Sequence, residues 1–174
     1  TGSLIAGHWI LFFASARISN ASVCLAGMAT TSFWTSLLEP LILKKSIKWY
    51  EVLLGLVVVV GLYVIFHFEV DHALGILLAL ISAFLAALFT VINARFAKAH
   101  HHHTVTFYEM SGANISIILF FPIYKYFIAE NQQINLHLSS TDLIYISILA
   151  IICTVYAYSA SIEIMKRISA FSVN

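Results

Sequence analysis

Residues 72–94, HALGILLALISAFLAALFTVINA, contain no Asp, Glu, Lys or Arg, and this run decides the fold. A helix that crosses a bilayer needs roughly 20 consecutive apolar residues, because lipid offers no hydrogen-bond partner to an exposed backbone. The run has that length, and it has company. Charge is also missing from Ile18 to Leu38, from Val52 to Phe68 and from Leu143 to Ile162. The nine Lys/Arg and eight Asp/Glu gather in short clusters between these runs. Charged residues make up 10% of the chain, where a soluble domain carries about a quarter and spreads it over every surface helix. Apolar residues reach 61% and mean hydropathy is +0.94. The fold class is all-α, a polytopic transmembrane helix bundle in contact with the lipid bilayer.

Apolar segments run over Leu4–Ile18, Ala21–Leu43, Tyr50–Phe68, Ala73–Ala97, Val105–Ile128 and Ser140–Met165, with a seventh opening at Ser169. The chain starts without Met inside an apolar stretch and shows neither the basic start nor the cleavage site of a signal peptide. It therefore reads as an internal piece of a longer membrane protein, unable to transport by itself. Cys24 and Cys153 fall within predicted spans and read as small apolar core residues, not a disulfide. No basic patch with interleaved aromatics points to nucleic acid, and net charge is only +1.

The remaining charges orient the bundle. Lys44, Lys45 and Lys48 follow the second segment, Arg95 and Lys98 the fourth, and Lys166 and Arg167 the sixth. These are alternate loops, so residues 44–48, 95–103 and 166–167 share one side, and the positive-inside rule makes it cytoplasmic. The opposite loops hold Glu69, Asp71 and the polar stretch Glu130 to Asp142, with Arg17 and Lys125 the only cations on that face.

The chain also echoes itself. Arg17-Ile18-Ser19-Asn20-Ala21-Ser22-Val23 recurs as Arg167-Ile168-Ser169-Ala170-Phe171-Ser172-Val173. Both copies close one span and open the next. An odd number of spans separates them, so they face opposite sides of the membrane. Such inverted repeats are a common architecture of secondary transporters.

Several short elements together resemble the EamA-type branch of the drug/metabolite transporter superfamily, whose ten helices form two inverted five-helix repeats. Ala14 to Ser19 is similar to the end of that family's third helix, and Leu38-Glu39-Pro40-Leu41 to the Glu-Pro element of its fourth. Gly55 and Gly61 match the glycines of the fifth. Gly75 through Arg95 resembles the helix that opens the second half, and Thr106-Phe107-Tyr108-Glu109 the start of the seventh. Thr154 to Tyr158 with Lys166-Arg167-Ile168-Ser169-Ala170 resembles the eighth. Where the family has Gly-Glu after its fourth helix, this chain has Lys44-Lys45, so no role is carried over for that acid. The resemblance implies that residues 1–70 are the C-terminal part of a first repeat and 71–174 the N-terminal part of a second. Helices one, two and ten, with parts of the third and ninth, then lie outside the chain. It further implies a bacterial inner membrane, a small organic solute as substrate, and export as the expected direction.

Helix faces indicate where a path runs. Gly27, Thr31, Thr35 and Glu39 recur every four residues, with Trp34 beside them, and form one stripe. Hydroxyls and a carboxylate avoid lipid, so the stripe is expected to face the interior. Two readings stand: interhelical packing, or the wall of a polar cavity. Pro40 cannot donate to the Ser36 carbonyl, which predicts a kink beside Glu39. Glu39 is then either an ion site, able to carry a coupling proton, or an interface residue paired with a nearby lysine. Gly75, Ala79, Ala83 and Ala87 form a small-residue ladder for close helix contact. Thr90 and Asn93 stand near the end of that span, placed to line a path or to cap backbone.

Tyr156 and Tyr158 sit mid-span and are both expected to point inward with their hydroxyls partnered. Glu109 is placed in the first turns of its helix, where the dipole favours a carboxylate. Glu163 is spaced to pair with Lys166 and Arg167. His100 to His103 read as a solvated loop, since consecutive histidines converge poorly on a metal, and Thr104 as the cap of the next helix. The candidate path is therefore Thr31, Trp34, Thr35, Glu39, Asn93, Tyr156 and Tyr158, with no cofactor and no metal. A membrane-embedded enzyme and a non-transporting bundle are the alternatives. The first lacks a nucleophile–base or metal motif here, and the second leaves the echo unexplained.

Overall fold

The computed structural model describes residues 1–66, 72–127 and 138–174. The described residues form helices α1 (Gly2–Ile18), α2 (Ala21–Met28), α3 (Thr31–Leu43), α4 (Trp49–Phe66), α5 (Ala73–Ala99), α6 (His102–Phe127) and α7 (Ser140–Ile148), then a π-helical stretch (Leu149–Ala157), α8 (Tyr158–Ile164) and α9 (Ala170–Val173). Among them there is no strand. Four stretches are long and apolar enough to cross a membrane: Ala21–Leu43, Ala73–Ala99, His102–Tyr126 and Ser140–Ile164. Gly2–Ile18 and Trp49–Val64 are shorter apolar helices. The all-α membrane bundle is thus present. The segment ends expected at Phe68 and Ile128, the acids Glu69, Asp71 and Glu130, and the rest of the polar stretch through residue 137 lie outside the described residues.

Helix α5 is the hub. Its 27 residues correspond to a rod of about 40 Å, buried along Gly75, Ala79, Ala83, Ala86, Ala87, Ala94 and Ala97. The predicted small-residue ladder is this buried face, and α1, α2 and α3 all pack against it. In lipid, helix association relies on van der Waals contact between closely approaching backbones instead of on hydrophobic exclusion. Two glycines set the approach. A Cβ on Gly27 of α2 would stand 2.5 Å from the Ala79 Cβ, and one on Gly75 would stand 2.6 Å from Ser19. Ser15 Oγ also donates to the Gly75 carbonyl at 2.7 Å, tying α1 to the start of α5. Large side chains such as Leu53, Val57, Leu77, Ile118 and Ile151 point outward, as lipid-facing residues must.

The bundle departs from the predicted segments where side chains compete with the backbone. Segment Ala21–Leu43 breaks into α2 and α3 at Ala29–Thr30. Three successive hydroxyls cause it: Thr30 donates to the Gly27 carbonyl at 2.8 Å, Thr31 to Met28 at 2.6 Å and Ser32 to Ala29 at 3.1 Å. Back-bonding of this kind takes acceptors that a regular helix uses. Pro40 lies inside α3, and Lys44 ends that helix with φ 51°, turning the chain sharply back.

The start of α6 corrects two expectations. The helix begins at His102, three residues before Val105, so Thr104 is not its cap and the histidines are not all loop. The amides of Thr104 and Val105 instead donate to the His101 carbonyl at 3.0 and 3.2 Å. His102 Nδ1 stands 2.8 Å from Glu163 Oε2, joining α6 to α8, while Lys166 Nζ lies 2.6 Å from the same oxygen, as the spacing predicted.

The π-helical stretch corrects another pair. Backbone bonds from residue i to i−5 widen its turns, as in the Tyr158 N–H donating to the Cys153 carbonyl where the stretch ends. Side chains on either side of the stretch lose the phase of a regular helix. Tyr156, expected inward, is 73% exposed, while Tyr158 turns into the bundle. Cys153, expected in the core, is exposed; Cys24 is buried as predicted, and both are free.

The cationic helix ends gather at one end of the bundle. Lys44, Lys45, Arg95 and Lys98 line one cavity of about 470 Å³. Beside it Val91, Ala94, Ala97, Val105, Ile162 and Met165 form a core against which Leu38, Leu43 and Val173 pack.

If the Gly27–Ala79 approach carries the bundle, Gly27→Leu costs about 1–3 kcal/mol by overpacking. Gly61 has open space around its missing Cβ, so Gly61→Leu is the matched control. Thermal unfolding in detergent is expected to show a lower Tm for the first variant only; equal effects would refute the contact.

Candidate functional site

Two buried polar side chains and a half-buried tyrosine, Tyr158, meet where α5, α6 and α8 converge. Asn93 of α5 is 1% exposed and Glu109 of α6 is 4% exposed. Asn93 Nδ2 donates to Glu109 Oε2 at 3.0 Å and to the Tyr158 hydroxyl oxygen at 2.9 Å. The Tyr158 hydroxyl donates in turn to Glu109 Oε2 at 2.9 Å, closing a triangle. Ser159 Oγ donates to Thr106 Oγ1 at 3.1 Å, a second polar link between α8 and α6.

Local sequence explains the position of Glu109. Val105, Glu109 and Ala113 recur every four residues and are all buried, so the carboxylate rides on the packing stripe of α6. The expectation that it sits in the first turns of its helix is corrected by the start at His102. At seven residues inside, it lies beyond the reach of the terminal dipole. The four-residue spacing of Val105, Glu109 and Ala113 was the signal that would have found it.

A cavity of about 560 Å³ opens on the Tyr158 side of this triangle, between α1, α2 and the π-helical stretch. Its wall is mostly apolar, with Trp9, Phe12, Met28 and Tyr158 among the lining residues. His8 also faces it. The His8 Nδ1 lies 2.8 Å from Ser82 Oγ, which donates to the His8 carbonyl at 2.9 Å, so the imidazole is fixed on α5. Phe89 packs edge-on against His8, with centroids 5.6 Å apart, and against Tyr158 at 6.4 Å. Neither His8 nor Trp9 carries a periodic polar pattern that would single it out in the sequence.

The predicted stripe on α2 and α3 does face inward: Gly27, Thr31, Thr35 and Glu39 are all buried. Its hydroxyls are turned to protein partners. Thr35 Oγ1 donates to the Thr31 carbonyl at 2.7 Å and accepts from Asn174 Nδ2 at 2.7 Å. Glu39 Oε1 stands 2.6 Å from Lys45 Nζ, brought back by the turn at Lys44, and Oε2 accepts the Phe171 N–H at 3.2 Å. Of the two readings of Glu39, pairing with a lysine is the observed one, and the partner is Lys45. Trp34 lies with its ring edge-on to Phe84 of α5, centroids 5.3 Å apart, and its buried Nε1 has no hydrogen-bond partner.

The seven predicted path residues therefore fall in separate places. Asn93 and Tyr158 are in direct contact, Thr31, Thr35 and Glu39 lie along α3 with the last two holding α9, and Trp34 packs on α5. Tyr156 is the correction: two residues before Tyr158, it lies on the opposite side of the helix and points away from the triangle. Among the described residues no group of three His, Cys, Asp or Glu side chains is placed to hold a metal.

Comparison with known proteins adds one finding. The model of the EamA-like transporter family matches residues 73–174, more than half of the chain. No match is found among curated proteins or among solved structures.

Removing Asn93 takes a donor from a buried carboxylate and another from a buried hydroxyl. Asn93→Ala is expected to destabilise by about 1–3 kcal/mol, whereas Tyr156→Phe at the exposed face stays within about 0.5 kcal/mol. Unfolding in detergent distinguishes them; a large loss for Tyr156→Phe would contradict its outward placement.

Proposed function

We propose a function from this premise: the chain belongs to the EamA-like transporter family, and so to a multi-pass membrane transporter of the drug/metabolite type. In our reading the protein moves a small organic solute, by alternating access, through the cavity between α1, α2 and the π-helical stretch. That cavity is the observation that carries the reading. At about 560 Å³ it has the size of a small-molecule site, with apolar walls and a few convergent polar groups. Trp9, Phe12 and Met28 offer stacking and dispersion surface, while Tyr158, held by Asn93 and Glu109, offers a fixed polar handle. Thr31, Trp34, Thr35 and Asn93 stay in this reading as residues behind or beside the path, and His8 joins them.

Two inverted halves, residues 1–70 and 71–174, form the alternating elements. Supporting this, the family match begins at residue 73, close to that boundary. The echoed motifs both stand at helix junctions as well: Asn20 Oδ1 caps α2 through the Val23 N–H at 2.8 Å, and Ser169 Oγ caps α9 through the Ser172 N–H at 3.2 Å. The end bearing Lys44, Lys45, Arg95 and Lys98 is cytoplasmic on the positive-inside rule, in a bacterial inner membrane, with export as the direction. No catalytic chemistry is assigned.

The expected proton-carrying role of Glu39 is not the one its geometry favours. Both oxygens are engaged, by Lys45 and by the Phe171 amide, which supports a clasp between α3 and α9. The test is solute flux in vesicles carrying the complete protein, screened over small amphipathic solutes. Trp9→Ala and Tyr158→Phe are expected to raise KM, and Glu39→Gln to keep the pH dependence of flux. A screen without any transported solute, or unchanged KM in both cavity variants, would sink the reading.

A further inference from the structure

Glu109 differs in kind from the other described carboxylates. Glu39, Glu51 and Glu163 each stand within 3.1 Å of a lysine, at Lys45, Lys48 and Lys166. Asp142 is exposed and closes a capping box with Ser139 at the start of α7. Glu109 alone of these is deep in a span with neutral hydrogen-bond partners only, Asn93 and Tyr158. An ionisable group in that position is costly, and in membrane proteins it marks a proton or ion pathway by default.

An inventory of donors and acceptors sharpens this. The Asn93 amide has two N–H donors, and both are used, on Glu109 Oε2 and on the Tyr158 oxygen. The Tyr158 O–H is used on Glu109 Oε2. Two buried acceptors remain without any donor: Glu109 Oε1 and Asn93 Oδ1. The cluster is therefore short of one donor. A single proton on Glu109 Oε1 adds an O–H donor to the cluster and removes a buried charge in the same step.

The surroundings provide a way in. Glu109 lines a cavity of about 230 Å³ at the α5–α6 turn, with Thr104, His100 and Tyr108 in its wall. Its partner Tyr158 lines the larger cavity assigned above to the solute. The carboxylate thus stands between a vestibule at the cationic end of the bundle and the solute cavity. The titratable groups facing it are Tyr158 from α8, His100 from the end of α5 and Tyr108 from its own helix. No Lys or Arg pairs with it among the described residues.

We infer that Glu109, with Asn93 and Tyr158, is a proton-binding site that links the α5–α6 vestibule to the solute cavity. Hydronium in the vestibule hands a proton to Oε1 and leaves as water, keeping the O–H electron pair; release passes the proton back to water as hydronium, with no other bond made or broken. Because Tyr158 touches both the carboxylate and the solute cavity, occupancy by solute and by proton are coupled through its hydroxyl. The coupling rests on the transport reading; the proton site does not.

Infrared titration of the purified protein in detergent reads the site directly. A carboxylic-acid C=O band that grows on acidification is expected in the wild type, lost in Glu109→Gln, and present at a different pH in Tyr158→Phe. In vesicles, Glu109→Gln is expected to lose flux driven by a pH gradient. Should Glu109→Gln fail to fold, the shifted band in Tyr158→Phe carries the test. Identical band changes in wild type and Glu109→Gln overturn the proton site. So does selective loss of cationic solutes in Glu109→Gln with the band retained, which would make the carboxylate a counter-ion. A band lost in Glu109→Gln, in a protein that moves no solute, leaves the proton site standing and removes the transport reading.

Discussion

Everything in this bundle depends on how closely three helices approach the small face of α5. Between Gly27 and Ala79, and between Gly75 and Ser19, there is no room for an added methyl group. In lipid the hydrophobic effect does not press helices together, so such contacts and a few interhelical hydrogen bonds supply the association. Once α1, α2 and α3 are seated on α5, its remaining contacts at the cationic end go to α6, α8 and α9. The polar triangle and the cavity beside it are consequences of that seating.

The same constraint explains why polar side chains are so fully occupied. Lipid provides no alternative partner, so most buried hydroxyls turn to a carbonyl or to another hydroxyl, and the buried carboxylates find a donor or a cation. Thr31 turns to the end of α2 and Thr35 to its own helix, Ser82 clamps His8, and Glu39 recruits Lys45 and the α9 amide. Against that background the two orphan acceptors on Glu109 and Asn93 stand out. A proton on the orphan carboxylate oxygen supplies a donor and removes the buried charge at once.

Much of the fold is legible in the residues alone. Charge-free runs and the spacing of Gly75, Ala79, Ala83 and Ala87 depend on local composition and helical period, and the bundle follows both. The stripe of Thr31, Thr35 and Glu39 faces inward for the same reason. The misplacements share a different origin. Tyr156 points outward because residues two apart stand about 200° apart on a helix, so the packing that takes Tyr158 inward turns Tyr156 away. Glu109 reads as a helix-start carboxylate because the histidines before it look like loop, yet His102 opens α6 with a contact to Glu163 on another helix.

By itself the sequence determined membrane residence, the order of the helices, the cationic end and the faces that pack, since these follow from hydropathy and from the 3.6-residue period. Only the tertiary structure decided which carboxylate stands without a cation. Glu39 meets Lys45 across a short turn, whereas Glu109 meets Asn93 and Tyr158, separated from it by 16 and 49 positions. Pairing at such distance is fixed by which helices converge and in what phase, and no local pattern of residues encodes that.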